Sequence, residues 1–242
     1  MIKNFEIIVL SLKRSHERRQ SIKNNLNELG LDFEFFDAFQ KEDVPEKFLD
    51  EKLTKKLLGR PMVDGEIGCS YSHYKIIKKI AASKKVDFFL VLEDDVLLSE
   101  SIHLIIKWLE NNFFYNVGLI KLPAHQFIPK QRTKIIVGQE FALFKNTALN
   151  VGSYATFIGV NMAKKLLKKY DKKIVIPADW LYDKYKDKIQ TLGVWPPMTK
   201  FTEHALKSEI GQRGPKKSKF RKKLIRLKGL LKNMWLQFVS IT

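Results

Sequence analysis

Three carboxylates stand side by side at Glu93-Asp94-Asp95. Adjacent acids repel one another, so such a cluster is costly unless a cation or hydrogen-bond donors neutralise it. A divalent ion bridging carboxylates to substrate phosphates is the usual resolution, and Mg2+ or Mn2+ would serve. The same acids are equally suited to a solvated turn capping a helix that starts near Ser99, where negative charge is favoured. Taken alone, the triplet leaves both readings open.

Three further sets carry chemistry-bearing residues. In Gly65-Glu66-Ile67-Gly68-Cys69-Ser70-Tyr71-Ser72-His73, glycines, hydroxyls, a thiol and an imidazole gather at a helix start, where phosphate or ribose can approach closely. Cys69 and His73 lie one helical turn apart and suit a metal pair, but no second pair completes a zinc site. A Cys69 nucleophile is another option, and a buried Cys beside a hydrogen-bonded His is the bland one. Ser11-Leu12-Lys13-Arg14, with Arg18 and Arg19, offers cations to a diphosphate, or else a solvated helix face. Gly152-Ser153-Tyr154 and Pro177-Ala178-Asp179-Trp180 place hydroxyls, aromatics and a carboxylate where a sugar would use them. Asp179 is also a natural N-cap for a helix over 180–189.

The elements that must position these residues are legible from their patterning. Glu6–Leu10 reads as a strand buried on both faces. Ser15 caps a helix carrying Ile22, Leu26 and Leu29, which stops at Gly30. Phe33–Phe36 is a second strand, and residues 40–65 form a charged excursion with a short helix near Lys47–Leu58. A helix over Ile67–Ala82 precedes Asp87–Leu92, an apolar strand that ends directly in the triplet. A helix to about Asn111, a strand at Gly118–Leu122, a strand at Tyr154–Val160 and a helix at Asn161–Tyr170 follow. Alternating strands and helices predict an α/β fold with a mostly parallel sheet covered on both faces. The carboxylates then fall at a strand's C-terminal edge, where open α/β sheets bind ligands.

Composition narrows the classes. The 242 residues carry a net charge of +18, but ten of the 44 Lys and Arg, and none of the 26 acids, fall in residues 213–242. Residues 1–212 hold 34 basic and 26 acidic groups, a net of +8. The expected organisation is a domain over 1–212 and a basic amphipathic segment over 213–242. There Phe220, Leu224, Leu227, Leu231, Met234 and Phe238 recur at four- and three-residue steps among Lys222, Lys223, Arg226 and Lys232. Such a helix lies on an anionic membrane surface or docks on its own domain. The single cysteine, Cys69, excludes an intrachain disulfide, and neither a secretory signal nor a membrane span is expected. A cytoplasmic protein, peripheral at the inner face of the cytoplasmic membrane, fits these features.

In order along the chain, these segments resemble glycosyltransferase family 25, the lipooligosaccharide galactosyltransferase group. The resemblance rests on Ile8-Val9-Leu10-Ser11-Leu12 with Arg18-Arg19, then Phe35-Phe36-Asp37-Ala38. It continues in Gly65-Glu66-Ile67-Gly68-Cys69 with Ser72-His73, and in Val91-Leu92-Glu93-Asp94-Asp95-Val96. Gly152-Ser153-Tyr154 and Pro177-Ala178-Asp179 match more loosely, with Ala178 where members usually carry Val, and residues 123–150 show no alignable pattern. The resemblance implies a GT-A-like, Rossmann-like mixed sheet flanked by helices. It also implies a UDP-sugar donor (UDP-galactose foremost), Mn2+ or Mg2+, and inverting, β-linked transfer to a lipooligosaccharide or other lipid-linked glycan.

On that footing the metal candidates are Asp95, with direct contact, Glu93 in support and His204 as a distal ligand. Donor candidates are Ser11, Leu12, Arg14, Arg18, Arg19, Cys69, Ser72, His73, Glu93 and Asp94, with Asp94 facing the ribose. Acceptor candidates are Gly152, Ser153, Tyr154 and Trp180. The base candidate is Asp179, with Glu203 behind it. A nucleotidyl- or phosphotransferase is the competing enzyme class, although the chain has no Gly-x4-Gly-Lys-Ser/Thr loop. A nucleic-acid-binding protein is the competing non-enzyme, but the charge sits in one tail and no zinc-finger or RNA-recognition motif occurs.

Overall fold

The computed structural model describes residues 5–111, 118–122, 134–137, 141–145, 153–170, 177–178 and 191–203. The chain divides into two units, Met1–Gly211 and Gln212–Thr242, and every described residue belongs to the first. The amphipathic segment 213–242 and the expected helix 180–189 lie outside the described residues.

The chain opens with β1 (Phe5–Ser11), α1 (His16–Glu28) and β2 (Glu34–Asp37). Then come α2 (Glu51–Leu58), α3 (Asp64–Ala82), β3 (Phe88–Glu93), β4 (Val96–Leu98) and α4 (Ile102–Asn111). The remainder comprises β5 (Leu119–Lys121), β6 (Lys134–Val137), β7 (Ala142–Lys145), β8 (Ala155–Gly159), α5 (Val160–Tyr170), β9 (Thr191–Trp195) and β10 (Thr199–Phe201). Eight strands form one sheet in the order β2-β1-β3-β8-β5-β9-β7-β6. Following the pairings across it, only β7 and β8 run against the other six. This is the mostly parallel mixed sheet flanked by helices that the sequence predicts for a GT-A-like fold.

Alternation along the central strands explains the layers. Ile7 and Val9 of β1, with Leu90 and Leu92 of β3, pack under Ile22 and Leu26 of α1 and Ile105 and Leu109 of α4. Ile8, Leu10, Phe89 and Val91 face the other way, onto Ile76, Ile77 and Ile80 of α3 and Ala163 and Leu166 of α5. Each such side chain, fully buried, contributes roughly 2 kcal/mol of apolar transfer, so a one-residue slip of β1 or β3 would forfeit both cores.

This layering sets the location of the site. The connection from β1 to β2 runs through α1 on one face, whereas α3 returns the chain to β3 on the opposite face. β1 therefore lies between β2 and β3, and the crevice beyond the carboxyl ends of β1 and β3 is a topological switch point.

Several boundaries differ from the sequence expectations for local reasons. The excursion helix starts at Glu51 rather than near Lys47, because Asp50 caps it by accepting from Leu53 N at 2.9 Å. Gly59 ends it at φ 72, a left-handed position that glycine enters without strain. The helix after the triplet begins at Ile102, since β4 intervenes and pairs antiparallel with β10. Asn25 of α1 holds β4 in place: its amide donates to Leu98 O at 3.0 Å and accepts from Leu98 N at 2.8 Å. Strands β6, β7, β9 and β10 went unanticipated.

Candidate active site

Ser11 at the end of β1 and Glu93 at the end of β3 open onto a cavity of about 310 Å3. Its floor is Glu93, Asp94 and Asp95. One wall is Leu12, Arg14, Ser15 and Arg18 at the N-terminus of α1, and the other is Ala38–Glu42 with Asp64, Gly65, Gly68 and Cys69 of α3. The positive end of the α1 dipole, together with two guanidinium groups, makes that first wall suited to phosphate oxygens.

The three acids have different partners. Asp94 accepts from Ser11 Oγ at 2.6 Å and pairs with Arg18 at 3.3 Å. Burial pushes its carboxyl up, and Ser11 and Arg18 only partly offset this. Glu93 accepts from the Ser153 hydroxyl and faces His73 Nε2 at 3.2 Å. Burial alone would raise Glu93 too, but the His73 hydrogen bond and charge, with Ser153 and Arg18, hold it below its ordinary value. Asp95 is pushed up to about 7 by burial, then by the charges of Glu93 and Asp94, against a smaller pull from Arg18. Its Oδ1 is buried with no hydrogen-bond partner.

An orphaned carboxylate oxygen beside two committed carboxylates is the arrangement a hard divalent cation would satisfy. Thr202 reinforces the fit. Its N–H donates to Asp95 O at 2.9 Å, and its own hydroxyl is buried without a partner. Mn2+ or Mg2+ therefore fits the oxygen donors present, with Asp95 as the residue best placed to hold it.

Most of the expected donor residues converge here: Ser11, Leu12, Arg14, Arg18, Cys69, Glu93 and Asp94 all line the cavity. Three serve it from behind. Arg19 brackets β1 and β2 by donating to Ser11 O at 3.0 Å, pairing with Asp37 and stacking 4.7 Å over Phe35. Ser72 spends its hydroxyl on Gly68 O at 2.7 Å and Phe39 N at 2.8 Å, tying α3 to the cavity wall. His73, 1% exposed, reaches the site only through Glu93.

Of the acceptor candidates, Ser153 joins Glu93, while Tyr154 accepts from Glu93 N at 2.7 Å and packs edge-on against Phe201 at 4.8 Å. Glu203 is exposed one residue beyond Thr202. Gly152, Asp179, Trp180 and His204 lie outside the described residues.

Sequence reasoning missed part of the wall. Gln40, Lys41 and Glu42 belong to what reads as a charged excursion, yet Gln40 accepts from Arg14 and Lys41 pairs with Asp64 at 2.8 Å. Outside the cavity lining, it also did not foresee the burial of Lys121, 1% exposed at the end of β5 and in register with Thr156 and Gly193. A lysine closing a short apolar strand was the available signal.

Comparison with known proteins bears on this arrangement. The sequence model of glycosyltransferase family 25 (LPS biosynthesis protein) matches residues 4–182. A glycosyltransferase 25 family member of Aedes aegypti is 42% identical over 97 residues, covering 37% of this chain and 16% of that protein. The lipooligosaccharide biosynthesis protein lic2B of Haemophilus influenzae is 34% identical over 108 residues, covering 43% of this chain and 40% of that protein. Procollagen galactosyltransferase 1-B of Xenopus laevis is 35% identical over 98 residues, covering 38% and 16%. The matched segments thus span well under half the length of each relative.

Proposed function

The chain belongs to glycosyltransferase family 25, and on that premise we propose that it transfers galactose from UDP-galactose, with inversion, to a lipooligosaccharide or other lipid-linked surface glycan. The observation that carries this reading is the orphaned Oδ1 of Asp95, a residue that lines the switch-point cavity together with Arg14 and Arg18 of the opposite wall. Mn2+ or Mg2+ held there would neutralise charge developing on the departing nucleoside diphosphate. Arg14, Arg18 and the α1 N-terminus hold the diphosphate, and Asp94, fixed by Ser11 and Arg18, faces the ribose. Glu93 supports the cation site.

Inversion needs a single displacement and one base near the acceptor hydroxyl. Asp179 is assigned that role, with Glu203 as its substitute and His204 as a distal ligand. The Thr202–Asp95 hydrogen bond supports Glu203, the next residue, as a neighbour of the triplet. Gly152, Ser153, Tyr154 and Trp180 form the acceptor side. The galactose and lipooligosaccharide assignments draw support from the names of the frog and Haemophilus relatives. The basic segment 213–242 holds the enzyme at the inner face of the cytoplasmic membrane, where a lipid-linked acceptor resides.

Asp95→Ala tests the reading: transfer is lost while secondary structure and cooperative unfolding persist. Wild-type turnover in a folded Asp95→Ala protein would refute it. Asp179→Asn is expected to retain UDP binding and lose transfer, and undiminished turnover would remove Asp179 as the base.

A further inference from the structure

Cys69, His73 and Glu93 bring one sulfur, one nitrogen and one carboxylate oxygen within 4.8 Å of one another. Two of the three come from one face of α3, where residues four apart stack one turn above another. The third is the last residue of β3. A Cβ added at Gly68 would sit 2.4 Å from Phe39 O, so only glycine lets the start of α3, next to Cys69, approach the Phe39–Gln40 wall this closely. Within the cluster His73 Nε2 faces Glu93 Oε1 at 3.2 Å, while Nδ1 is buried with no hydrogen-bond partner. The imidazole is thus only half satisfied by protein groups, at 1% exposure.

We propose that Cys69, His73 and Glu93 form a second cation site, selective for a thiophilic divalent ion of the Zn2+ class and separate from the oxygen donors of Asp95. The donor chemistry decides the class: a thiolate beside an imidazole favours Zn2+ or Co2+, whereas Mg2+ and Mn2+ favour sites dominated by oxygen and disfavour thiolate. An ion about 2.0 Å from nitrogen and oxygen and about 2.3 Å from sulfur holds its ligands roughly 3.3–3.6 Å apart; His73 and Glu93 already stand 3.2 Å apart, and the three atoms, within 4.8 Å of one another, draw together on binding. Three protein ligands would leave a fourth position to water or substrate, and two of the three, Cys69 and Glu93, line the cavity. Binding releases the thiol proton to solvent and replaces the His73–Glu93 hydrogen bond with coordination. Because Glu93 also supports the donor-side cation, an ion here competes for it and lowers transferase turnover. The inference stands on the geometry of this cluster and not on the transferase reading.

The test is Co2+ titration of the full chain without nucleotide, read by thiolate-to-cobalt charge-transfer absorption in the near ultraviolet. Cys69 is the single cysteine, so any such band reports on it alone. Wild-type protein is expected to show the band, saturating at one ion, and Asp95→Asn to keep it. Cys69→Ser is expected to lose it, and His73→Gln to weaken Co2+ binding at least about tenfold. Absence of the band in wild type, its survival in Cys69→Ser, or its loss in Asp95→Asn would overturn the proposal. A second readout avoids any variant: Zn2+ slows alkylation of Cys69 in the native protein and Mg2+ does not. Equal alkylation rates with and without saturating Zn2+ would equally overturn it.

Discussion

Glu93, Asp94 and Asp95 are adjacent and chemically alike, yet their surroundings leave them in different states. Glu93 is held by His73 and Ser153, and Asp94 by Ser11 and Arg18, while Asp95 receives the repulsion of both with little compensation. A carboxyl raised from 3.8 to about 7 binds its proton more tightly in the folded chain than in the unfolded one. The metal-free protein therefore loses stability as pH rises from about 4 to about 7, and the loss levels off above that window. Asp95→Asn is expected to remove this slope, so its melting temperature exceeds wild type near pH 7.5 and converges with it near pH 4. Thermal unfolding in chelator across that range checks the sign; parallel curves would contradict it. The same variant is expected to lose transfer by about 100-fold or more. This division of labour was legible only in part. The sequence displayed three acids after an apolar strand, but the partners that separate them come from 20 to 83 residues away. Cys69 and His73 likewise showed their helical spacing, while their third companion was hidden inside the triplet itself.

At the scale of elements, the approach of α3 to the Phe39–Gln40 wall shapes the cavity. Gly68→Ala is expected to force that wall outward, raising KM for the donor several-fold with a smaller change in kcat; an unchanged KM would show the wall to be irrelevant. The start of α3 depends on Glu66, which is 2% exposed, bonded to both Arg60 nitrogens at 2.6 and 2.7 Å, and accepting from Val63 N. Arg60→Ala leaves that buried carboxylate without its guanidinium counter-charge, so a loss of about 3 kcal/mol is expected in denaturant melts. A loss below about 1 kcal/mol would mean that Glu66 finds water instead. Elements with strong local signals, β1, α1, β3, β8 and α5, were readable because period and caps lie within each segment. Strands β4 and β10 were not, since each has three residues and exists only through pairing across about a hundred positions of chain.

At the scale of the whole molecule, charge and topology separate two tasks. The switch point between β1 and β3 gathers a cationic wall and an acidic floor, while more than half of the net charge lies in residues 213–242. Deletion of 214–242 is expected to abolish co-sedimentation with anionic phospholipid vesicles and to spare turnover on a water-soluble acceptor. Vesicle binding that survives the deletion would assign the charge another role. The mostly parallel α/β class followed from alternating strands and helices; the reversal of β8 did not, because a strand's direction depends on which neighbour it finds.

The most direct test of the account is release of UDP. Purified chain is incubated with UDP-galactose, UDP-glucose and UDP-N-acetylhexosamines, each with and without Mn2+, beside a lipooligosaccharide acceptor. UDP release from UDP-galactose is expected to require both Mn2+ and acceptor and to be absent in Asp95→Ala. Release that is indifferent to metal and to Asp95, or no release from any UDP-hexose while another nucleotide substrate turns over, would contradict it.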